Sequence, residues 1–119
     1  MGYDVVDIDT LEGEGPGGAV RKLRRSLGAH AFGFNHFRLQ PGVTGRQHDH
    51  AADRQEEVYV VLRGSGVMRV GEDEVDLRPG IVLRVDPDTT REPTAGPEGL
   101  DFVTFGAPLD RLYEPPEWG

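Results

Sequence analysis

Short apolar runs, separated by glycine, proline and acidic turn residues, make up most of the chain after residue 30. These runs are mostly four to eight residues long and rich in Val, Phe and Leu, which is typical of β-strands. The predicted strands are residues 31–39, 57–63, 67–70, 74–77, 81–85, 91–94 and 100–105. Gly64-Ser65-Gly66 predicts a hairpin between the second and the third. Strands of this length, with a turn about every ten residues, predict an all-β sandwich or barrel.

Alternation within residues 31–39 assigns their side chains to two faces of a strand. We expect the aromatic residues Phe32, Phe34 and Phe37 to fill the core. His36 adjoins Phe37 and therefore lies on the opposite face, where we expect it at the surface or satisfied by a hydrogen bond.

The two ends of the chain are less regular. Residues 3–9 alternate well enough to form a short strand or an extended arm. Residues 19–28 carry several arginines and predict a strand or a single helical turn whose cations pair with the acidic surface. The tail from residue 107 is rich in proline, and we expect Tyr113 and Trp118 to hold it over the barrel or against a partner subunit.

Composition narrows the class of protein. A chain of 119 residues forms one domain, and 17 glycines and 9 prolines suit turn-rich β structure better than a helical bundle. The net charge of -8 argues against nucleic acid or an anionic membrane as the main partner. The chain has no cysteine, and we see no signal peptide and no apolar run of membrane-spanning length, so we expect a cytoplasmic protein.

Candidate chemistry is concentrated between residues 42 and 64. His48 and His50 are one residue apart, so in an extended segment both side chains point to one face, about 6.5 Å apart along the strand. Glu57 opens the next predicted strand and is the natural third group. Two histidines and one carboxylate with open positions suit non-haem iron, manganese or zinc. The sequence therefore predicts a divalent-metal site at His48, His50 and Glu57.

The same segment resembles the first motif of the cupin superfamily: a glycine, five residues, His-x-His, a short spacer, a glutamate, six residues and a glycine. Gly42 precedes His48 by five residues, and Glu57 precedes Gly64 by six. His50 and Glu57 are separated by six residues where the motif has three or four, and a longer loop costs little because loop-closure entropy grows slowly with length.

The resemblance implies a small single-domain cupin with a double-stranded β-helix, or jelly-roll barrel. It divides the chain into an N-terminal arm with strands that pack on the barrel (1–28), the cupin barrel (29–106) and a short C-terminal tail (107–119). It also implies a small-molecule ligand in the lumen and a homodimer as the usual state.

The second cupin motif is altered at its histidine. Aligned on Gly80, the chain reads GIVLRVDPDTTR, which places Arg91 at the position of a fourth metal ligand. A guanidinium about 4 Å from a divalent ion would be repelled by roughly 8 kcal/mol at an effective dielectric of ~20. Four arrangements stay open: the metal displaces Arg91, Arg91 forms a forked ion pair with Glu57, Arg91 projects into the cavity mouth and binds a ligand carboxylate or phosphate, or Arg91 is a surface residue at a strand end.

Two functions follow from these residues. The first is a cupin that binds a small molecule, which can be an anion, in a lumen lined by the two histidines, Glu57, Tyr59 and Arg91, with or without a metal. The second is a metal-dependent oxygenase or isomerase, in which the metal polarises a substrate oxygen or activates water or dioxygen. Tyr59 lies two residues after Glu57 and therefore shares its face of the strand. It is predicted either to bind the ligand or to pack as a core tyrosine.

Overall fold

Six antiparallel β-strands form the body of the protein in a computed structural model that describes residues 2–119. The strands are β1 (Val20–Arg21), β2 (Gly33–Leu39), β3 (Gln55–Val70), β4 (Asp73–Leu77), β5 (Val82–Val85) and β6 (Arg91–Pro108). Helix α1 (Leu23–Leu27) and two 3₁₀ turns (Ile8–Thr10 and Pro16–Gly18) complete the regular structure of the described residues. The sheet order is β1-β2-β6-β3-β4, and β5 pairs with β3. The all-β, double-stranded β-helix prediction is confirmed.

Strands β3 and β6 pair along almost their whole lengths. The pairing has two main parts, residues 55–61 against 102–108 and residues 66–70 against 91–95, with register shifts between them. The hairpin predicted at Gly64-Ser65-Gly66 is wrong, because β3 continues through these residues. Gly64 has a φ of +81°, and a Cβ there would overlap the carbonyl oxygen of Gly99 in β6. The glycines allow two bent strands to approach closely, and they do not turn the chain back.

The inward face of the sheet forms the core. Leu39, Tyr59, Val61, Met68, Leu77, Val85, Ala95, Leu100 and Phe102 are buried together. Phe37 packs against this cluster and stacks on Phe102 with a ring distance of 5.2 Å, so its predicted core position is confirmed. Phe32 is 40% exposed and contacts Phe34 and Phe105 on the outer face, which makes the core prediction wrong for Phe32.

The outer face of β2 contains a fully buried histidine. His36 is on the face opposite Phe37, as alternation predicts, but it has no exposed surface, because β1 pairs with β2 and α1 packs on it. Its Nε2 atom lies 3.8 Å from Oδ2 of Asp101, and neither ring nitrogen has a hydrogen-bond partner among the described residues. Burial lowers the pKa of His36. The expectation of a surface or hydrogen-bonded histidine is therefore wrong.

The N-terminal residues are attached to the barrel by charge and by β1. Residues 3–9 form no strand, and Asp9 accepts hydrogen bonds from Arg38 at 3.0 Å and from Arg63 at 3.2 Å. Residues 20–27 combine both predicted alternatives, because a two-residue strand precedes the single helical turn. Met1, which belongs to the predicted arm 1–28, lies outside the described residues.

The tail is held mainly by its backbone. Lys22, Arg24 and Arg25 donate to the carbonyl oxygens of Trp118, Gly119 and Glu117, respectively. The Trp118 side chain is 71% exposed, so its ring does not hold the tail over the barrel, and its contact with a partner subunit stays a prediction. Within residues 2–119, no helix combines the length and apolar character that crossing a bilayer requires.

The close approach of β3 and β6 predicts a position-specific effect of alanine. We expect Gly64→Ala to lower the free energy of unfolding by about 3 kcal/mol, the sum of left-handed strain and displacement of β6. Gly71→Ala is the matched control, since Gly71 also has a positive φ but its Cβ would meet only Thr89 Cγ2 at 3.8 Å. It should cost about 1 kcal/mol in urea unfolding. Equal losses in the two variants would contradict the close approach.

Candidate metal centre

The segment that carries the two histidines is hydrogen-bonded to residues 87–91. His48 and Arg91 exchange both backbone hydrogen bonds, at 3.0 and 2.9 Å, and the His50 amide donates to the Pro87 carbonyl at 2.9 Å. These bonds keep the segment extended, so alternation directs both imidazoles to one face, as predicted. The ring centroids are 5.1 Å apart and nearly perpendicular.

Glu57 approaches the histidines from β3. It pairs with Val85 of β5 on one side and with Gly106 of β6 on the other, and its side chain is 13% exposed. Its Oε1 atom lies 3.7 Å from Nε2 of His48 and 3.5 Å from Nε2 of His50. One donor atom from each of the three residues lies within 4.8 Å of the others, so the predicted trio converges into a group that could hold a metal ion.

Hydrogen bonds to the far sides of the rings orient both imidazoles. Nδ1 of His48 contacts the carbonyl oxygen of Arg46 at 3.2 Å, and Nδ1 of His50 contacts both carboxylate oxygens of Asp53 at 3.1 and 3.2 Å. Because those oxygens only accept, each Nδ1 donates and each Nε2 is the atom offered to the centre. His50 Nε2 is buried without a hydrogen-bond partner in the described part of the chain. The residues thus fit a bound divalent metal.

Tyr59 supports the carboxylate. Its hydroxyl donates to Oε1 of Glu57 at 2.6 Å, and the residue is only 3% exposed within the core cluster. Burial and the adjacent Glu57 raise the pKa of Tyr59, so the hydroxyl stays protonated and remains a donor. The structure therefore places Tyr59 as a core residue that holds Glu57, and its direct contact with a ligand stays a prediction.

The two kinds of group in the trio shift each other's pKa in opposite directions. Burial by itself raises the pKa of Glu57, but contacts with His48, His50 and Tyr59 outweigh it and hold the pKa well below the ordinary value of 4.5. The contact with Glu57 raises the pKa of His50 above its ordinary 6.5, although burial opposes this. Glu57 is thus anionic over the whole neutral range.

Arg91 lies beside the trio with its charge largely uncompensated. It is fully buried, shares the inward face of β6 with the core residue Ala95, and is paired directly with His48. Its Nη2 atom donates to the Asp86 carbonyl at 2.9 Å, while Nε and Nη1 have no partner within residues 2–119. The forked ion pair with Glu57, one of the four arrangements considered, is not formed between these residues. Arg91 is also not a surface side chain.

This arrangement matches a known family over more than half of the chain. A family model for the cupin domain matches residues 35–103, which include the trio and Arg91. The chain is a cupin. A comparison with curated protein sequences gives no significant match.

Solved structures of other proteins share the fold of this one. A cupin protein from Bacteroides fragilis is 21% identical, with a TM-score of 0.76 over 98% of this chain and 92% of that one. A Klebsiella pneumoniae protein with a double-stranded β-helix domain is 19% identical, with a TM-score of 0.71 over 93% and 97% of the two chains. A predicted oxalate decarboxylase from Thermotoga maritima is 24% identical, with a TM-score of 0.65 over 76% and 79%. At these identities, the similarities show the fold.

Two acidic residues of this cupin were not identified from the sequence. Asp53 contacts His50, and it lies in the long spacer, whose extra length was the available signal. Asp86 supplies its backbone carbonyl to Arg91, and its side chain accepts from the Asp88 and Thr89 amides, which fixes the turn. A backbone acceptor leaves no mark in the residue type, so this contact had no sequence signal.

The opposed pKa shifts predict a pH range in which the contacts of Glu57 stabilise the metal-free protein most. A depressed Glu57 pKa contributes stability that is present above about pH 4.5 and lost as the pH falls. A raised His50 pKa contributes stability that is present below about pH 6.5 and lost as the pH rises. We therefore expect Glu57→Gln to cost most, about 2 kcal/mol, between pH 4.5 and 6.5.

Urea unfolding with a chelator present, repeated at several pH values, measures this difference. The exposed Glu114→Gln is the matched charge control and should show no such window. A cost of Glu57→Gln that does not change with pH would contradict the coupling of Glu57 to the histidines.

Proposed function

We propose that this cupin binds a divalent metal ion through His48, His50 and Glu57, and that Arg91 binds the carboxylate of a small anionic molecule in the lumen beside it. The observation that carries the proposal is the convergence of three donor atoms within 4.8 Å next to a buried guanidinium with unused donors. Iron, manganese and zinc all suit a ligand set of two imidazoles and one carboxylate.

The support for a metal lies in the orientation of the side chains. Both Nε2 atoms face the Glu57 carboxylate, and each ring is held from behind by an acceptor on Nδ1. Outer hydrogen bonds of this kind orient metal-binding histidines and raise their basicity. When bound, the metal would supply a Lewis acid for a substrate oxygen or for water.

The support for an anionic ligand lies in the cost of a buried charge. An arginine removed from water needs compensating hydrogen bonds, and the Asp86 carbonyl provides only one of them. A carboxylate matches the fork of a guanidinium and would use the free Nε–H and Nη1–H groups. The proposed ligand is therefore a small carboxylic acid, and oxalate is a suitable probe because one structural relative is a predicted oxalate decarboxylase.

A metal-dependent enzyme, an oxygenase or isomerase, is the second candidate. It is favoured by the replacement of the fourth family ligand by Arg91, because three protein ligands leave coordination positions open for a substrate. In this reading Arg91 orients the substrate and Tyr59 holds Glu57 in place. A chemical change in a bound carboxylate that requires both metal and Glu57 would support the enzyme, and recovery of the unchanged compound would contradict it.

Membership of the cupin family also supports proposing a homodimer. Phe32, Val82 and Phe105 are apolar side chains that remain 40%, 65% and 38% exposed, and a second copy would remove such surface from water.

Metal content is the first test. We expect protein purified without a chelator or an affinity tag, and analysed by elemental mass spectrometry, to contain about one divalent ion per chain. His48→Ala and Glu57→Gln should each abolish it, because either change removes one of three ligands. Arg69→Met, at an exposed position, should retain the metal. A wild-type protein that stays metal-free after reconstitution with iron, manganese and zinc would contradict the proposal.

Oxalate binding to the metal-free protein tests the role of Arg91. We expect Arg91→Met to weaken binding roughly 10- to 100-fold in calorimetry, the range for losing charge-assisted hydrogen bonds. Arg91→Lys should be intermediate, since it keeps the charge and loses the fork. Arg69→Met serves again as the control for net charge. Equal affinity of the wild type and Arg91→Met would contradict the proposed carboxylate site.

A further inference from the structure

The spacer between His50 and Glu57, which is longer than the spacer of the family motif, contains a hydrogen-bonded turn. The Arg54 amide donates to the His50 carbonyl at 2.8 Å, and Arg54 itself has a φ of +60°. This turn brings the Asp53 side chain back onto the ring of His50, three residues earlier, where its two oxygens lie 3.1 and 3.2 Å from Nδ1. The same carboxylate also accepts from the Gln55 amide at 3.3 Å.

The C-terminal residues hold this turn in place from outside. Arg111 donates from Nη2 to the Asp53 carbonyl at 2.7 Å, and the Leu109 amide donates to the Arg54 carbonyl at 3.0 Å. The backbone on both sides of the Asp53 side chain is therefore hydrogen-bonded. A carboxylate on such a turn presents a fixed acceptor to the imidazole.

The two histidines are oriented by different means. His48 contacts a backbone carbonyl, which any residue at position 46 would supply, whereas His50 contacts the side-chain carboxyl group of Asp53. A carboxylate on Nδ1–H fixes the tautomer, orients the ring and increases the basicity of Nε2. The Nε2 atom of His50 is the buried ring nitrogen of the trio that has no hydrogen-bond partner in the described chain. Asp53 therefore supports the ring whose Nε2 atom is available to bind a metal ion.

We infer that Asp53 is a positioning residue for the metal centre: it holds the His50 ring so that Nε2 faces the ion shared with His48 and Glu57. The inference rests on the proposed metal site and adds to it a residue from the spacer. Asp53 acts through His50 and touches neither the metal nor a substrate. Because its side chain is 44% exposed, its effect falls at the lower end of the range for such outer contacts.

Zinc affinity, measured by competition with a chromophoric chelator, tests the inference. We expect Asp53→Ala to bind zinc about tenfold more weakly than the wild type. Asp53→Asn, which keeps an oxygen acceptor for the Gln55 amide, should fall between them. Asp49→Ala is the matched control and should bind as the wild type does. Asp49 lies in the same loop, and among residues 2–119 its side chain accepts only from the Ala51 amide.

A spectroscopic measurement separates positioning from a structural effect on the loop. In the zinc-loaded wild type, the Nδ1 proton of His50 should give a downfield, slowly exchanging resonance, and Asp53→Ala should lose it while the His48 ring resonance is retained. If Asp53→Ala binds zinc with wild-type affinity and keeps that resonance, Asp53 has no positioning role. If the wild type itself binds no zinc, the metal site and this inference both fail. Should Asp53→Ala not fold, Asp53→Asn decides between the same outcomes.

Discussion

Backbone pairing between β3 and β6 determines where the groups of the site lie. Glu57 and Tyr59 belong to the part of β3 that pairs with residues 102–108, and Arg91 begins the part of β6 that pairs with residues 66–70. Around Gly64 the pairing shifts register, and the two backbones approach closely there. The histidine segment is then attached to the same strand through the reciprocal bonds of His48 and Arg91. Glu57, the two histidines and Arg91 therefore lie on segments that are joined by backbone hydrogen bonds.

The two buried charges of the site, on Glu57 and Arg91, do not neutralise each other by forming an ion pair. The Glu57 carboxylate is surrounded by donors, from two imidazoles and a phenol, whereas the Arg91 guanidinium has one backbone acceptor. A buried cation with unused N–H groups attracts an anion more strongly than it would in water, since the surrounding dielectric is low. The proposed metal would complete the imidazole side of this arrangement, and the proposed acidic small molecule would complete the arginine side.

The parts of this picture that the sequence predicted are those with a repeating or spaced signal. Alternation located the strands and the shared face of His48 and His50, and motif spacing identified Glu57 and the cupin fold. The hairpin predicted at residues 64–66 was wrong because glycine is the residue required both by a tight turn and by a close approach of two strands. The burial of His36 depends on β1 and α1, which are irregular in sequence and fold back over a distant strand. Asp53 belongs to no periodic pattern. Its contact with His50 depends on the turn that the Arg54 amide closes on the His50 carbonyl.

The elements around His36 extend beyond the segment that matches the cupin family model. The family match begins at residue 35, after β1 and α1, yet these elements supply the strand partner of Phe37 and His36 and include the almost fully buried Leu23. A barrel trimmed to the matched residues would open one edge of the sheet and wet an imidazole that the intact chain keeps dry. The residues that match the family model and the residues that pair with the outer edge of β2 are therefore different sets, and no motif describes the second set.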